Sequence, residues 1–274
     1  MSLDQSHSSA LAHLDKIRLA SDEKLQEPGD HASVWLERLG VPLNSIEKIK
    51  AIKIVGVKEG SSVGEFTESI LRRMRPGWKI GRFQAFTTGR CAVREQISIN
   101  GQHISEELFT KCFFGTWLWF SDHHPNELQD HGLLRILPGY PLFLSLFVHR
   151  AFVSEGVDVA IVEVDAEMSY DLTDIVFDPI VVSSGAETTI AMAPPEILDM
   201  QLSAMSLYAF LLDVFTNVYL ILGLQDQEDA TLAVHTAKAF FDTIDTRFKL
   251  SYSSPPLPTS FIIGLERARL KAIS

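Results

Sequence analysis

The sequence predicts an α/β fold: a mainly parallel sheet flanked by helices, of the kind that carries a phosphate-binding loop. Three observations predict it. Ile52-Lys53-Ile54-Val55 reads as a short apolar strand that passes through the Gly- and Ser-rich turn at 56–62 into a helical run, Gly64 to Arg73. Val157 to Val164 is a nearly continuous apolar run, as expected of a strand covered on both faces. Strands also alternate with helices of about ten or more residues, the pattern of parallel crossover units. In such folds ligands sit beyond the carboxyl ends of the strands, where the loop at 56–62 and the segment after Glu163 both fall.

The remaining elements follow from periodicity and punctuation. Residues 1–31 read as a mobile polar leader, with a frayed helix between Ala10 and Leu25 and a break at Pro28-Gly29-Asp30; residues 32–274 read as one domain. Val34, Trp35, Leu36 and Leu39 suggest a short helix ended by Gly40 and Pro42. Lys79 to Phe86 and Gln96 to Ile99 are strands, the second turned by Asn100-Gly101. Ser105, Glu107 and Leu108 start a helix carrying Phe109, Phe113, Phe114, Trp117 and Phe120, a set that suits a core at least as well as ligand stacking. Pro138 opens a helix to Glu155, Pro179 to Ser183 is a further strand, and helices follow from Ala193 to Leu222 and from Glu228 to Phe241.

Composition narrows the functional classes. The 274 residues, 46% hydrophobic and 22% charged, suffice for a substantial core. A net charge of −11 argues against a nucleic-acid surface, which needs clustered Lys and Arg. Membrane insertion is not expected either: the apolar run from Tyr140 to Val153 is short and holds His149 and Arg150, and that from Leu207 to Leu224 holds Asp213. Cys91 and Cys112 are the two cysteines, which with a polar N-terminus suggests free thiols and a cytoplasmic location. His123, His124 and His131 fit no standard metal-site spacing.

The loop has the setting of a phosphate site without its usual charge. Backbone N–H groups and a Lys normally neutralise the phosphates, yet Glu59-Gly60 stands where a Gly-Lys pair is needed. Gly56, Lys58 and Ser62, with the helix Phe66-Thr67-Glu68-Ser69-Ile70-Leu71, resemble the folylpolyglutamate synthases of the Mur-ligase superfamily, whose loop runs Gly-Thr-x-Gly-Lys-Gly-Ser. Leu36-Glu37-Arg38-Leu39-Gly40 resembles the family's Leu-Glu-Arg-Leu-Gly, and Val93 to Ser105 its Val-Arg-Glu-Arg-Ile-x-Ile-Asn-Gly-x-x-Ile-Ser. Val157 to Val164 and Tyr170-Asp171-Leu172-Thr173-Asp174 are similar to Val-Asp-x-Ala-x-x-Glu-Val and Tyr-Asp-x-Thr-Asn. The resemblance is specific over residues 33–187 and weak over 188–274, where Asp229-Ala230-Thr231-Leu232-Ala233 is similar to Asn-Ala-x-x-Ala.

The resemblance implies the central domain of a Mur-type ligase and an ATP- and magnesium-dependent ligation of L-glutamate to tetrahydrofolate (poly)glutamate, in one-carbon metabolism. It assigns nucleotide binding to Gly56, Lys58, Gly60, Ser61 and Ser62 and magnesium to Ser62 and Glu163; it assigns no catalytic residue. Several parts depart from the family: Phe86 to Arg90 in place of Ser-Pro-His, Glu167-Met168 in place of Gly-Gly, Gln225-Asp226 in place of His-Gln, and no Lys between Ser184 and Lys238. The chain ends at Ser274, before a C-terminal ligase domain, so the expectation is that such a domain is lacking or supplied by a partner protein. Going from Gly-Lys to Glu-Gly makes the loop more negative by two unit charges. One charge at about 4 Å is worth about 4 kcal/mol at an effective dielectric near 20, enough to weaken ATP binding roughly a thousandfold. The expectation is therefore a pseudoenzyme with little or no ligase activity, binding a folate-like small molecule. The alternative is a surviving or repurposed small-molecule enzyme.

Overall fold

A computed structural model describes residues 4–24, 49–56, 62–85, 92–123, 139–164, 177–184, 189–192, 200–201, 224–244, 260, 263–265 and 268. Its centre is a sheet in which β1 (Ile49–Val55) lies between β5 (Val159–Val164) and β6 (Phe177–Ser184), with β2 (Ile80–Ala85) on the far side of β5. These four strands run parallel. All six residues of β5 are buried, which explains its unbroken apolar sequence: both faces are covered, so alternation has no role.

The rims are antiparallel, which the alternating pattern did not disclose. β3 (Ile97–Ile99) pairs with β2 and then with β4 (Gln102–His103), while β7 (Thr189–Met192) and β8 (Met200–Gln201) extend the β6 side. The turn between β3 and β4 places Asn100 and Gly101 at φ 52° and 74°, the positive pair that a tight hairpin demands. Short rim strands of this kind limit the exposed edge of the sheet.

Helices cover both faces. On one lie α1 (His7–Lys24), α3 (Glu106–His123) and α4 (Tyr140–Glu155), around Phe109, Phe113, Phe120, Phe143, Phe147 and Phe152, all fully buried. Phe109 meets Phe147 edge-on with centroids 4.9 Å apart, and Phe113 meets Phe143 at 5.5 Å, so the aromatics of α3 are core side chains. On the other face α2 (Val63–Met74) and α5 (Leu224–Ile244) pack together through Phe66, Ile70, Ala233, Ala237 and Phe240. The small residues of α5 let the two helices approach closely.

The N-terminal segment is corrected by the structure. Instead of a loose leader, α1 buries Ala10, Leu14 and Ile17 against the aromatic face, and His13 lies 4.5 Å from the Trp117 ring. The residues at 10, 14 and 17 form one narrow stripe on the helix, which the polar composition around them conceals. The helix at 32–39, Cys91, His124 and His131 fall outside the described residues, as does most of the helical region expected at 193–222; where that region is described, Met200–Gln201 is instead the strand β8, paired with β7. No helix among the described residues is long and apolar enough to cross a membrane.

Gly81 tests this packing. A Cβ there would lie 2.7 Å from the buried Phe152 ring. Gly81→Ala should lose about 1–3 kcal/mol of stability through overpacking. Gly77→Ala, whose Cβ would meet nothing within 4 Å, should stay within about 0.5 kcal/mol in the same urea titration.

Candidate functional site

Strand parity builds the site. On β5, Val159 and Ile161 face α2 and α5, so Glu163, two positions on, faces them too. On β2 the same parity carries Ile80, Arg82 and Gln84, and the parallel register sets Gln84 directly beside Glu163. Three polar side chains thus share the sheet surface beneath the start of α2.

Gly56 ends β1 at φ 75°, a left-handed conformation that disfavours any Cβ, and its N–H donates to the Val164 carbonyl at 3.0 Å. Ser62 precedes α2 and accepts the first helical bond, from Phe66 N–H at 2.9 Å; its hydroxyl makes no cap bond. The Ser62 N–H instead donates to Asp229 Oδ2 of α5 at 2.6 Å. Gly64 N–H donates to Glu163 Oε1 at 3.3 Å, and a Cβ on Gly64 would stand 2.5 Å from the carboxyl carbon of Glu163. Only glycine lets the helix sit this low on the carboxylate.

Glu163 is fully buried, and its Oε2 has no hydrogen-bond partner among the described residues. Burial pushes its carboxyl up to about 7, helped by the negative charge of Asp229 and opposed by the Arg82 guanidinium, the Gly64 N–H and the Gln84 amide. Arg82 also stands 3.8 Å from Glu68 Oε2 of α2, so the same cation faces two carboxylates. Farther along α5, burial first and the nearby Lys238 charge second depress the His235 imidazole to about 4.

Gly56, Ser62 and Glu163 therefore converge at the carboxyl end of the central strands, while Lys58, Gly60 and Ser61 lie outside the described residues. Gly64, Arg82 and Asp229 were not singled out as site residues from sequence. Asp229 stands 167 positions from Ser62, and the one available signal was its place opposite an Asn of the resembled family.

The donor chemistry fits a hard divalent cation. Ser62, Glu163 and Asp229 offer oxygens, and the Glu163 Oε2 is buried without a partner. Among the described residues no group of three or more His, Cys, Asp or Glu side chains could hold a metal, so water and ligand oxygens would complete the shell, as is usual for magnesium. A phosphate fits less well, because Asp229 already occupies the Ser62 N–H.

No protein-family model matches the chain. Mitochondrial folylpolyglutamate synthase of Bos taurus is 38% identical over 148 residues, 54% of this chain and 24% of that protein; the human protein gives the same figures. The Candida albicans synthase is 34% identical over 156 residues, 56% of this chain and 30% of its own. Over these stretches the chain is similar to folylpolyglutamate synthases. The match thus spans about a quarter to a third of the curated relatives' length.

Solved structures agree in fold. Folylpolyglutamate synthetase from Lactobacillus casei covers 95% of this chain and 70% of its own length, with a TM-score of 0.56 and 14% identity. An FPGS complex with AMPPCP and folate covers 96% and 72%, with a TM-score of 0.58 and 14% identity. The Thermotoga maritima synthase covers 90% and 66%, with a TM-score of 0.51 and 18% identity. These structures establish a folylpolyglutamate synthase-like α/β architecture.

Two opposed pH dependences follow for the metal-free chain. The folded Glu163 pKa is raised from 4.5 to about 7, so its contribution is full below pH 4.5 and is lost as pH rises through 7. The loss amounts to about 3 kcal/mol at one pKa unit per 1.4 kcal/mol, and Glu163→Gln should abolish it. His235 acts the other way: its folded pKa is lowered from 6.5 to about 4, so its contribution is present above pH 6.5 and fades as pH falls towards 4. Urea unfolding between pH 4 and 8 with chelator present separates the two when repeated on Glu163→Gln and His235→Gln.

Proposed function

We propose that the chain is a folylpolyglutamate synthase-like protein with little or no ligase activity, kept as a binding or regulatory protein for a folate-like ligand. Glu59-Gly60 carries this reading: the loop sequence has a glycine where the resembled family has its lysine, and a carboxylate where the family has the preceding glycine. The run without Lys from Ser184 to Lys238 supports it, since the resemblance implies a lysine there as part of a second metal site. Lys238 itself is ion-paired with Asp242 within α5. The folate-like ligand class is inferred by analogy with the FPGS complex containing folate. A cytoplasmic location is part of the proposal, although the mammalian relatives carry mitochondrial names. A protein partner could contribute the remaining surfaces of a ligase.

One observation favours the alternative, a surviving or repurposed small-molecule enzyme. Glu163 is a buried carboxyl with one oxygen unpartnered and a pKa moved up to about 7, as suits a cation ligand or a proton-transfer group.

Two measurements test these readings. The purified chain should show no glutamate addition to tetrahydrofolate with magnesium and ATP; robust addition overturns the first reading, and loss of any turnover in Glu163→Ala then supports the second. Calorimetry should find ATP at least a hundredfold tighter on Glu59→Gly/Gly60→Lys than on the natural chain, a difference of about 2.7 kcal/mol. Micromolar ATP binding by the natural chain would count against a weakened loop.

A further inference from the structure

We infer that Asp229 is an internal anion that occupies the phosphate position at the start of α2, so that a nucleotide or pyrophosphate must displace it to bind. The inference rests on the nucleotide-site reading of the loop. Helix starts attract anions because their first N–H groups have no helical acceptor and the helix dipole is positive there. At α2 two of those donors are already taken by carboxylates: the Ser62 N–H by Asp229 at 2.6 Å and the Gly64 N–H by Glu163 at 3.3 Å.

Neither carboxylate is a passing surface contact. Asp229 is 6% exposed, and the buried Ala230 and Ala233 beside it anchor α5 on the same core as α2. Glu163 is fully buried and lies against Gly64, with Oε2 still unpartnered. The second oxygen marks the turn as a place built for a further polar or cationic group. An incoming phosphate, by contrast, meets the Asp229 carboxylate, the buried Glu163 carboxyl and a donor already engaged.

The residue type matters as much as its position. An Asn at 229, the type that the resembled family has there, could accept the same hydrogen bond through its carbonyl oxygen without the negative charge. Asp229 thus converts a neutral brace between α5 and the loop into a competitor for phosphate. It acts as a specificity-determining residue, selecting against phosphoanions.

The test is a substitution cycle read by calorimetry with Mg-ATP and with magnesium pyrophosphate. Asp229→Asn is made in the natural chain and in the Glu59→Gly/Gly60→Lys chain. In both backgrounds Asp229→Asn should tighten both probes at least tenfold, about 1.4 kcal/mol. If the loop-restored chain binds ATP and Asp229→Asn changes neither probe by more than twofold, the inference is overturned while the nucleotide-site reading stands. If the loop-restored chain binds neither probe with Asp or Asn at 229, the nucleotide-site reading falls and the inference with it. An independent readout needs no change at 229: in the 15N-labelled loop-restored chain, pyrophosphate should shift the Ser62 amide resonance and weaken its protection from exchange. Saturation with pyrophosphate while the Ser62 amide stays unmoved also overturns the inference.

Discussion

The burial of Glu163 beneath the first turn of α2 is the constraint on which the site depends. A carboxyl with no solvent contact is costly unless it is protonated or met by donors, and here the help comes from several elements at once. Strand β2 supplies Arg82 and Gln84, α2 supplies the Gly64 N–H, and the absence of a side chain at Gly64 supplies the room. Moving α2 away would strand the carboxyl; moving it closer is blocked by the carboxyl itself. The height of the helix above the sheet is therefore set at this point.

The two cores serve the site unequally. The aromatic layer of α1, α3 and α4 packs against the opposite sheet face. The layer of α2 and α5 does both jobs: Phe66, Ile70 and Leu71 bury apolar area while the start of the same helix holds Ser62 and Gly64 over the strands. Ser69 adds a further tie, its hydroxyl donating to the Gly264 carbonyl at 2.6 Å. Gly264 is itself pressed on Ile70, where a Cβ would come within 2.9 Å of the backbone. Anything that loosens α5 from α2 must disturb the Asp229 contact as well as the apolar seam.

Much of this was legible in the sequence for physical reasons that can be stated residue by residue. The unbroken run at 159–164 marked a strand covered on both faces, and Asn100-Gly101 marked a turn with two positive φ angles. Strand period alone puts Arg82, Gln84 and Glu163 on the face that α2 covers. What sequence could not supply was proximity across long separations. Asp229 reaches Ser62 from 167 positions away, and nothing local to either residue announces the bond. The antiparallel rims were hidden because strands of two to four residues carry too few side chains to show a period. The stripe of α1 was hidden differently: Ala10, Leu14 and Ile17 are diluted among polar neighbours, and packing against α3 and α4 supplies what their composition does not.

The charge pattern at the strand ends ties fold and function together. A helix start carries about half a positive charge, and a phosphate or a carboxylate satisfies it equally well as far as the helix is concerned. In a site made for phosphate the anion comes with the ligand, so the empty protein leaves the donors to water and the ligand gains from meeting them. Here Asp229 and Glu163 meet them from within, and the helix is stabilised before any ligand arrives. The same two carboxylates that make α2 secure in the free protein leave it with little to offer a phosphate and more to offer a cation. Stability of the scaffold and affinity for nucleotide then pull in opposite directions at the same N–H groups.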